Sequence, residues 1–394
     1  MAQSQSTLRT LVALLTVAAA VVPAHARAQA TLGSPTAVFP EDFGAIQTVR
    51  ELPDGRVLVA DPLSNALFAV DMDAGTRTVI GREGEGPEEY MQPDAVWALP
   101  GGATLLVDLG NGRLTTLNAD LDFVDTRPIA SGDPRPGGDA PLLIAIPAAV
   151  DAAGNIYTRA VGMGMRGAIP DSAGVLRLSQ QGVDTVAMVK RQETTRSESG
   201  GANDRNVSIS SIPLSPEDSW GVAADGSVVL VRSLDYHVDW VGTDGRMVRG
   251  APQPLDLVEI GTPEKEEFLA AQGRSGGDLG ISVSISNGEM QMGFERGAGG
   301  GGGREIDQYE WPDRKPPIYA GRVVVDPLSR AWVQRHVDAG DPSTYDVFDR
   351  TGSLVRTITL DHGKRVVGFG GDSVYVVAYD EFDLNYLERY ALPS

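Results

Sequence analysis

The stretch GREGEGPEEYMQPDAVWALPGGATLLVDLGNGRLTTLN, Gly81 to Asn118, decides what kind of chain this is. Its opening, with Gly81, Gly84 and Gly86 ahead of Pro87, reads either as a loop that cradles a phosphate or as a connection between two structural units. A phosphate loop places its glycines between a strand and a helix N-terminus, where free N–H groups and the helix dipole face the anion. Here Gly86 is followed by a proline, two glutamates and then another strand pattern, so the helix is missing and the charge has the wrong sign. The stretch is therefore a connection. What it leads into is a strand (DAVWALP), a tight Pro-Gly-Gly turn, a second strand (TLLVD), a polar loop and a third strand (RLTTLN).

That rhythm recurs along the chain. Units open at Pro53 (PDGRVLVADPLSNALFAVDMDAGTRTVI), Pro100, Ala152, Ala224 (ADGSVVLVRSLDYHVDWVGTDGRMVRG), Pro327 and Gly370. Each carries a tight turn, an alternating strand, a polar loop and a further strand, and a preceding strand such as GAIQTVREL, SWGVAA or RVVGFG completes a set of four. Four antiparallel strands repeated six times predict an all-β, six-bladed β-propeller. The sixth unit supplies only three strands before the chain ends, so the strand that closes the ring is expected from the N-terminal side, around Thr36 to Pro40 in SPTAVFPEDFG.

The second unit is similar to an NHL repeat through Gly84, Gly86, Pro93, Gly102, Val107, Asp108, Asn111, Arg113 and Leu114. The first unit keeps Val59, Asp61 and Asn65 without the arginine. The whole chain resembles exported bacterial six-bladed propellers of the NHL and TolB-like type. In lactonases of related architecture a calcium ion sits on the propeller axis, held by Asp, Asn and Glu oxygens. That resemblance implies Asp61, Asp108, Asn155 and Asp235 as donors if this chain is such a hydrolase. The NHL-type amidating lyases use several histidines around zinc; here only His237, His336 and His362 follow the leader, at unlike strand positions.

Composition bounds the function. Leu11 to Val22 is an unbroken apolar run with Arg9 before it and PAHARAQA after it, which predicts a signal peptide over residues 1–30, cut after Ala28 or Ala30 with Ala30 preferred. The chain contains no cysteine, so neither a disulfide nor a lipid-anchoring thiol is available, and an exported, soluble protein that is not a lipoprotein is expected. Losing residues 1–30 removes Arg9 and Arg27 and no acid, moving the formal charge from −20 to −22. Such acidity argues against nucleic acid and anionic membranes as partners. Residues 31–394 read as one domain, expected to be a monomer, with an insertion at about 251–317. Within the insertion, TPEKEEFLAAQ predicts a helix capped by Thr262, and Gly299 to Gly303 reads as a flexible flap or an unselected linker.

Alignment of the units on their turns brings Asp61, Asp108, Ala160, Arg232, Arg335 and Ala378 to equivalent places at the end of the second strand. Circular symmetry then predicts a mouth with acids on one pair of neighbouring blades and arginines on another. Arginine there would take a carboxylate or sulfate with two parallel hydrogen bonds, and aspartate would accept from amines or hydroxyls. The competing reading makes each aspartate a cap of its own loop. Arg159 falls one place out of register and is expected on the other side of its strand. Trp97, Trp220, Trp240 and Trp332 read as core, whereas Trp311, with Tyr309 and Tyr319, would either stack on a sugar or pin the insertion. The resulting expectation is a binding module that takes a small, anionic ligand or a protein partner on its loop face, without a cofactor. The alternative is the calcium-dependent lactonase.

Overall fold

The computed structural model describes residues 29–132, 142–160, 170–199, 206–274, 279–286, 289–296 and 305–394. The signal-peptide expectation therefore falls almost wholly outside the described residues, as does the glycine run Gly299 to Gly303. No helix among the described residues is long and apolar enough to cross a membrane.

Six sheets form in sequence order. Blade 1 comprises Val49–Glu51, Val57–Asp61, Ala66–Asp71 and Thr76–Val79, and blade 2 Pro93–Ala98, Thr104–Asp108, Arg113–Leu117 and Phe123–Pro128. Blade 3 follows with Ala149–Val150, Ile156–Arg159, Ser172–Ser179 and Gly182–Lys190, and blade 4 with Ser219–Val222, Val228–Arg232, His237–Val241 and Met247–Arg249. Blade 5 holds Ile318–Val325, Ala331–Arg335, Ser343–Phe348 and Leu354–Leu360, and carries Gln29–Thr31 as a parallel fifth strand on its outer edge. Blade 6 supplies Arg365–Phe369, Ser373–Tyr379 and Asn385–Ala391.

The ring closes where the sequence predicts. Ala37–Val38 adds antiparallel to Asn385–Ala391, with Ala37 opposite Arg389 and Val38 opposite Glu388, and Phe39 N–H donates to the Leu387 carbonyl at 2.9 Å. The first strands of successive blades touch in order around the axis, and that of blade 6 touches that of blade 1. Closure leaves no blade without a neighbour, which removes the exposed faces an open stack would present.

Strand alternation explains how the blades pack. In the second strands of blades 1, 2, 4 and 5, one parity faces the preceding blade and the other the following blade. In blade 4, Val228 and Leu230 pack with Tyr157, Val175 and Val189 of blade 3, whereas Val229 and Val231 pack with Val323, Val333 and Phe348 of blade 5. The described residues yield six such apolar clusters, one in each wedge. The four expected core tryptophans belong here: Trp240 and Trp332 are buried, and Trp97 and Trp220 pack half-buried against their clusters. Gly226 shows why the turns need glycine: its φ is +85°, and a Cβ would sit 3.0 Å from Asp151 Oδ2 and 3.1 Å from the Tyr157 hydroxyl.

Gly81 to Pro93, the stretch that posed the first question, runs from the outermost strand of blade 1 to the first strand of blade 2 and contains no helix. The insertion does contain one, Thr262–Arg274. Its cap lies one residue earlier than expected, because Lys265 N–H donates to the Gly261 carbonyl while Glu264 accepts from Gly261 N–H at 3.0 Å. Gly261 therefore holds the capping position and Glu264 reaches back to it, half of a capping box.

Candidate binding face

The two faces of the ring differ in what connects the strands. On one face lie only short turns, at residues 52–56, 99–103, 151–155, 223–227 and 326–330, and their partners between third and outermost strands. The other face takes every outermost-to-first connection; that from blade 1 to 2 bears the short parallel pair Arg82–Glu83 with Glu89–Tyr90, and three more are elaborated. The connection from blade 2 to 3 bears the hairpin Ala130–Ser131 with Leu143–Ile144, that from blade 3 to 4 bears Thr194–Ser199 with Asn206–Ser211, and that from blade 4 to 5 bears the helix and the hairpin Leu279–Ser286 with Glu289–Arg296.

The last hairpin crosses the ring. It springs from between blades 4 and 5, yet Phe294 is buried in the wedge between blades 2 and 3 against Leu114, Ile129 and Ile144. Arg296 N–H donates to Gln92 Oε1 at 2.7 Å, Gln92 Nε2 returns a bond to the Arg296 carbonyl at 2.6 Å, and the Arg296 guanidinium pairs with buried Asp94. The other limb of the insertion is fastened to blade 5: Lys315, 2% exposed, donates to the Val337 carbonyl at 2.8 Å, and Glu264 accepts from Ala339 N–H. Trp311 donates its indole N–H to the Ile306 carbonyl and meets Phe268 edge-on at 5.5 Å, so this tryptophan pins the insertion.

The four equivalent residues all sit where the second strands end on the elaborated face. Asp61 is fully buried and accepts from the amides of Gly44, Ala45, Leu63 and Ser64 and from the Ser64 hydroxyl. Asp108, equally buried, accepts from Met91, Gln92 and Asn111 amides, from Asn111 Nδ2 at 2.8 Å and from Arg113 Nε at 3.2 Å. Arg113 in turn donates to the carbonyls of Glu85, Gly86 and Glu89, so the Asp-Asn-Arg set fastens the glycine-rich connection. Within that connection Glu89 accepts from Gly86 N–H and pairs with Arg82, and both hold its carboxyl below the usual range. Gly84, at φ +152°, has no room for a Cβ against the Glu89 carboxylate.

Arg232 and Arg335 are paired by a second repeated device. The residue opposite the penultimate-but-one position of the second strand is Asp239 in blade 4 and Asp346 in blade 5. Arg232 Nε lies 3.4 Å from Asp239, and its Nη1 donates to Asp218 at 2.8 Å and to the Met188 carbonyl. Arg335 Nε lies 3.6 Å from Asp346, beyond hydrogen-bond range, while Asp346 accepts at 2.7 Å from both Tyr236 and Thr357. Arg335 thus keeps donor capacity that Arg232 has spent. Arg159 does face the other way, toward blade 4, where it pairs with Glu217. Asp94, Glu217, Asp218 and Arg296 escaped the sequence alignment because none occupies the end of a second strand.

The oxygen donors considered for calcium do not share a site. Asp61 and Asp108 are saturated by amides, and Asn155 lies on the short-turn face, where it donates to Asp151 at 2.8 Å. Asp235 is exposed beside His237, 2.8 Å from its Nδ1. These side chains do not fit the six to eight convergent oxygens that calcium needs, and the described residues contain no cluster of three or more His, Cys, Asp and Glu groups disposed around a common point. The histidines are likewise scattered: His336 stacks on Tyr319 at 3.7 Å, and His362 contacts the Asp341 carbonyl.

No protein-family model matches the chain, and no curated protein matches it in sequence. Solved structures do resemble it in outline. A protein of Bacteroides fragilis described as exported is 11% identical over 93% of this chain and 99% of its own, with a TM-score of 0.45. A gluconolactonase of Xanthomonas campestris is 11% identical over 92% of each chain, with a TM-score of 0.41. The virginiamycin B lyase of Staphylococcus aureus is 11% identical over 91% and 99%, with a TM-score of 0.38. The strand pairing of this chain establishes its six blades independently of these likenesses, and they say nothing of its chemistry.

Proposed function

We propose that the protein is a binding module of the NHL-like kind, acting after export, that takes a small ligand on the elaborated face of its propeller. The observation that carries this reading is the asymmetry of the connections: among the described residues all elaboration lies on one face, and one hairpin spans from the connection between blades 4 and 5 to the wedge of blades 2 and 3. Rigid blades that present loops on one side are how a closed scaffold makes a recognition surface. Of the four residues expected at the mouth, Arg335 supplies the charge for a ligand, because its guanidinium is the least committed to the fold. Asp61, Asp108 and Arg232 serve as the frame that holds the loops around it.

A thermal-shift screen of organic acids, sugars and amino acids tests the reading. At least one class should stabilise the protein, and its effect should fall in Arg335→Gln and in a variant lacking residues 279–296. A ligand whose effect is indifferent to both changes would contradict it.

A further inference from the structure

Beside the mouth lies a second feature that neither the repeat alignment nor Arg335 explains. At the elaborated end of the wedge between blades 3 and 4, a cleft of about 240 Å³ is lined by Pro170, Asp171, Lys190, Arg191, Gln192 and Glu193, and closed by Thr194 and Ile212. Its walls are tied together by short bonds. Arg191 N–H donates to the Asp171 carbonyl and Ile212 N–H to the Glu193 carbonyl, each at 2.8 Å, and Glu193 N–H donates to Ser215 Oγ at 3.0 Å. Gln192 Nε2 is spent on the Ile212 carbonyl at 2.9 Å. The cleft is thus shaped before any ligand arrives, which lowers the ordering cost of binding.

Most of the basic groups around it are paired, and Arg191 is the exception. Lys190 Nζ lies 3.2 Å from Glu193, Arg159 pairs with Glu217, and Arg232 pairs with Asp218. Arg191 is half-buried, and among the described residues its guanidinium makes no hydrogen bond or ion pair. Burial and the neighbouring Arg159 both lower its pKa, with Glu217 opposing them in part. A cation held partly back from water beside a like charge, with the nearby Glu217 already paired to Arg159, is destabilising unless something completes it.

We propose that this cleft binds a small ligand by a single carboxylate group, seated on the two-pronged face of the Arg191 guanidinium. The planar fork of arginine matches a planar carboxylate. A multiply charged anion such as phosphate fits worse: Asp171 and Glu193 line the same cleft, and the chain carries a formal charge of −20. This proposal rests on the reading that ligands are taken on the elaborated face, and adds to that face a second site with its own ligand class and residue.

Titration calorimetry with lactate, methyl lactate and inorganic phosphate tests it on the full chain. Lactate should bind saturably, its uncharged ester should not, and phosphate should bind more weakly than lactate. Arg191→Gln should weaken lactate by about tenfold to a hundredfold, the loss expected for a hydrogen-bonded pair between charged groups. Arg246→Gln, an exposed change on the short-turn face, should leave it unaltered. Without any ligand, Arg191→Gln should raise the melting temperature, because it removes an unpaired charge. Equal lactate affinity in the wild type and Arg191→Gln, tighter binding of phosphate, no saturable lactate binding, or a lowered melting temperature would each overturn the proposal. Lactate binding lost in Arg335→Gln but kept in Arg191→Gln would defeat this inference and leave the binding face standing.

Discussion

Replacing Asp108 separates a framework role from a ligand role. The carboxylate is fully buried and accepts from Met91, Gln92 and Asn111 amides and from the Asn111 and Arg113 side chains. Asp108→Ala leaves those donors facing a void. Asn111 and Arg113 keep their bonds to the carbonyls of Gly84, Gly86 and Glu89, but the Met91 and Gln92 amides lose their acceptor. Breaking one side of a buried charged pair costs about 3–5 kcal/mol, so Asp108→Ala should destabilise by about that amount. Asp108→Asn keeps one acceptor oxygen yet turns an amide N–H₂ toward Arg113 and Asn111, and should cost about 2–3 kcal/mol, in the range of hydrogen bonds to charged groups. Urea unfolding followed by tryptophan fluorescence measures both, provided the slope with denaturant is unchanged. A loss below about 1 kcal/mol in Asp108→Ala would refute the framework role, since that is the scale of an ordinary exposed substitution.

Three further outcomes follow from the same contacts. Phe39→Ala removes the fully buried anchor of the closing strand and should cost about 3–5 kcal/mol, with faster amide exchange across Asn385–Ala391 as the readout. Arg296→Ala removes the guanidinium from buried Asp94 while the main-chain bonds to Gln92 remain, and should show as faster limited proteolysis at Glu289–Arg296 together with a lowered urea midpoint, because Asp94 is left buried and unpaired. The carboxyl of Glu89 is held below its ordinary value by Gly86 N–H and Arg82, so its contribution is present above the ordinary glutamate range, near pH 4.3, and is lost as pH falls through the lowered value. Glu89→Gln should therefore lower stability near neutrality, match the wild type at low pH, and so flatten the acid side of the stability profile.

Much of the ring was legible because its signals are local. Asp-Gly and Pro-Gly-Gly turns between alternating strands mark each blade, and the missing outer strand of blade 6 points directly to the segment around Phe39. The hairpin Leu279–Ser286 with Glu289–Arg296 stands outside the blade repeat; its signal is local, ISVSIS and EMQMGF flanking Asn287-Gly288, but a helix pattern before it and a glycine run after it break the strand rhythm that marks the blades. The site was less legible. Alignment finds the places of Asp61, Asp108, Arg232 and Arg335, but not their partners, which come from a neighbouring strand or blade: Asp346 from the next strand, Asp218 from the connection ahead of blade 4. Arg191 was hidden in a polar stretch that carries no repeat signature, and only the folded wedge shows that it stands beside Arg159.

The central claim is that ligand is taken on the face that carries the long connections. Amide hydrogen exchange, compared with and without a ligand that raises the melting temperature, tests it most directly. Slower exchange confined to the ends of the second strands near Arg232 and Arg335, to Lys190–Thr194 and to Glu289–Arg296 is the predicted result. Slower exchange at the short turns around residues 52–56, 151–155 and 326–330 instead would contradict it.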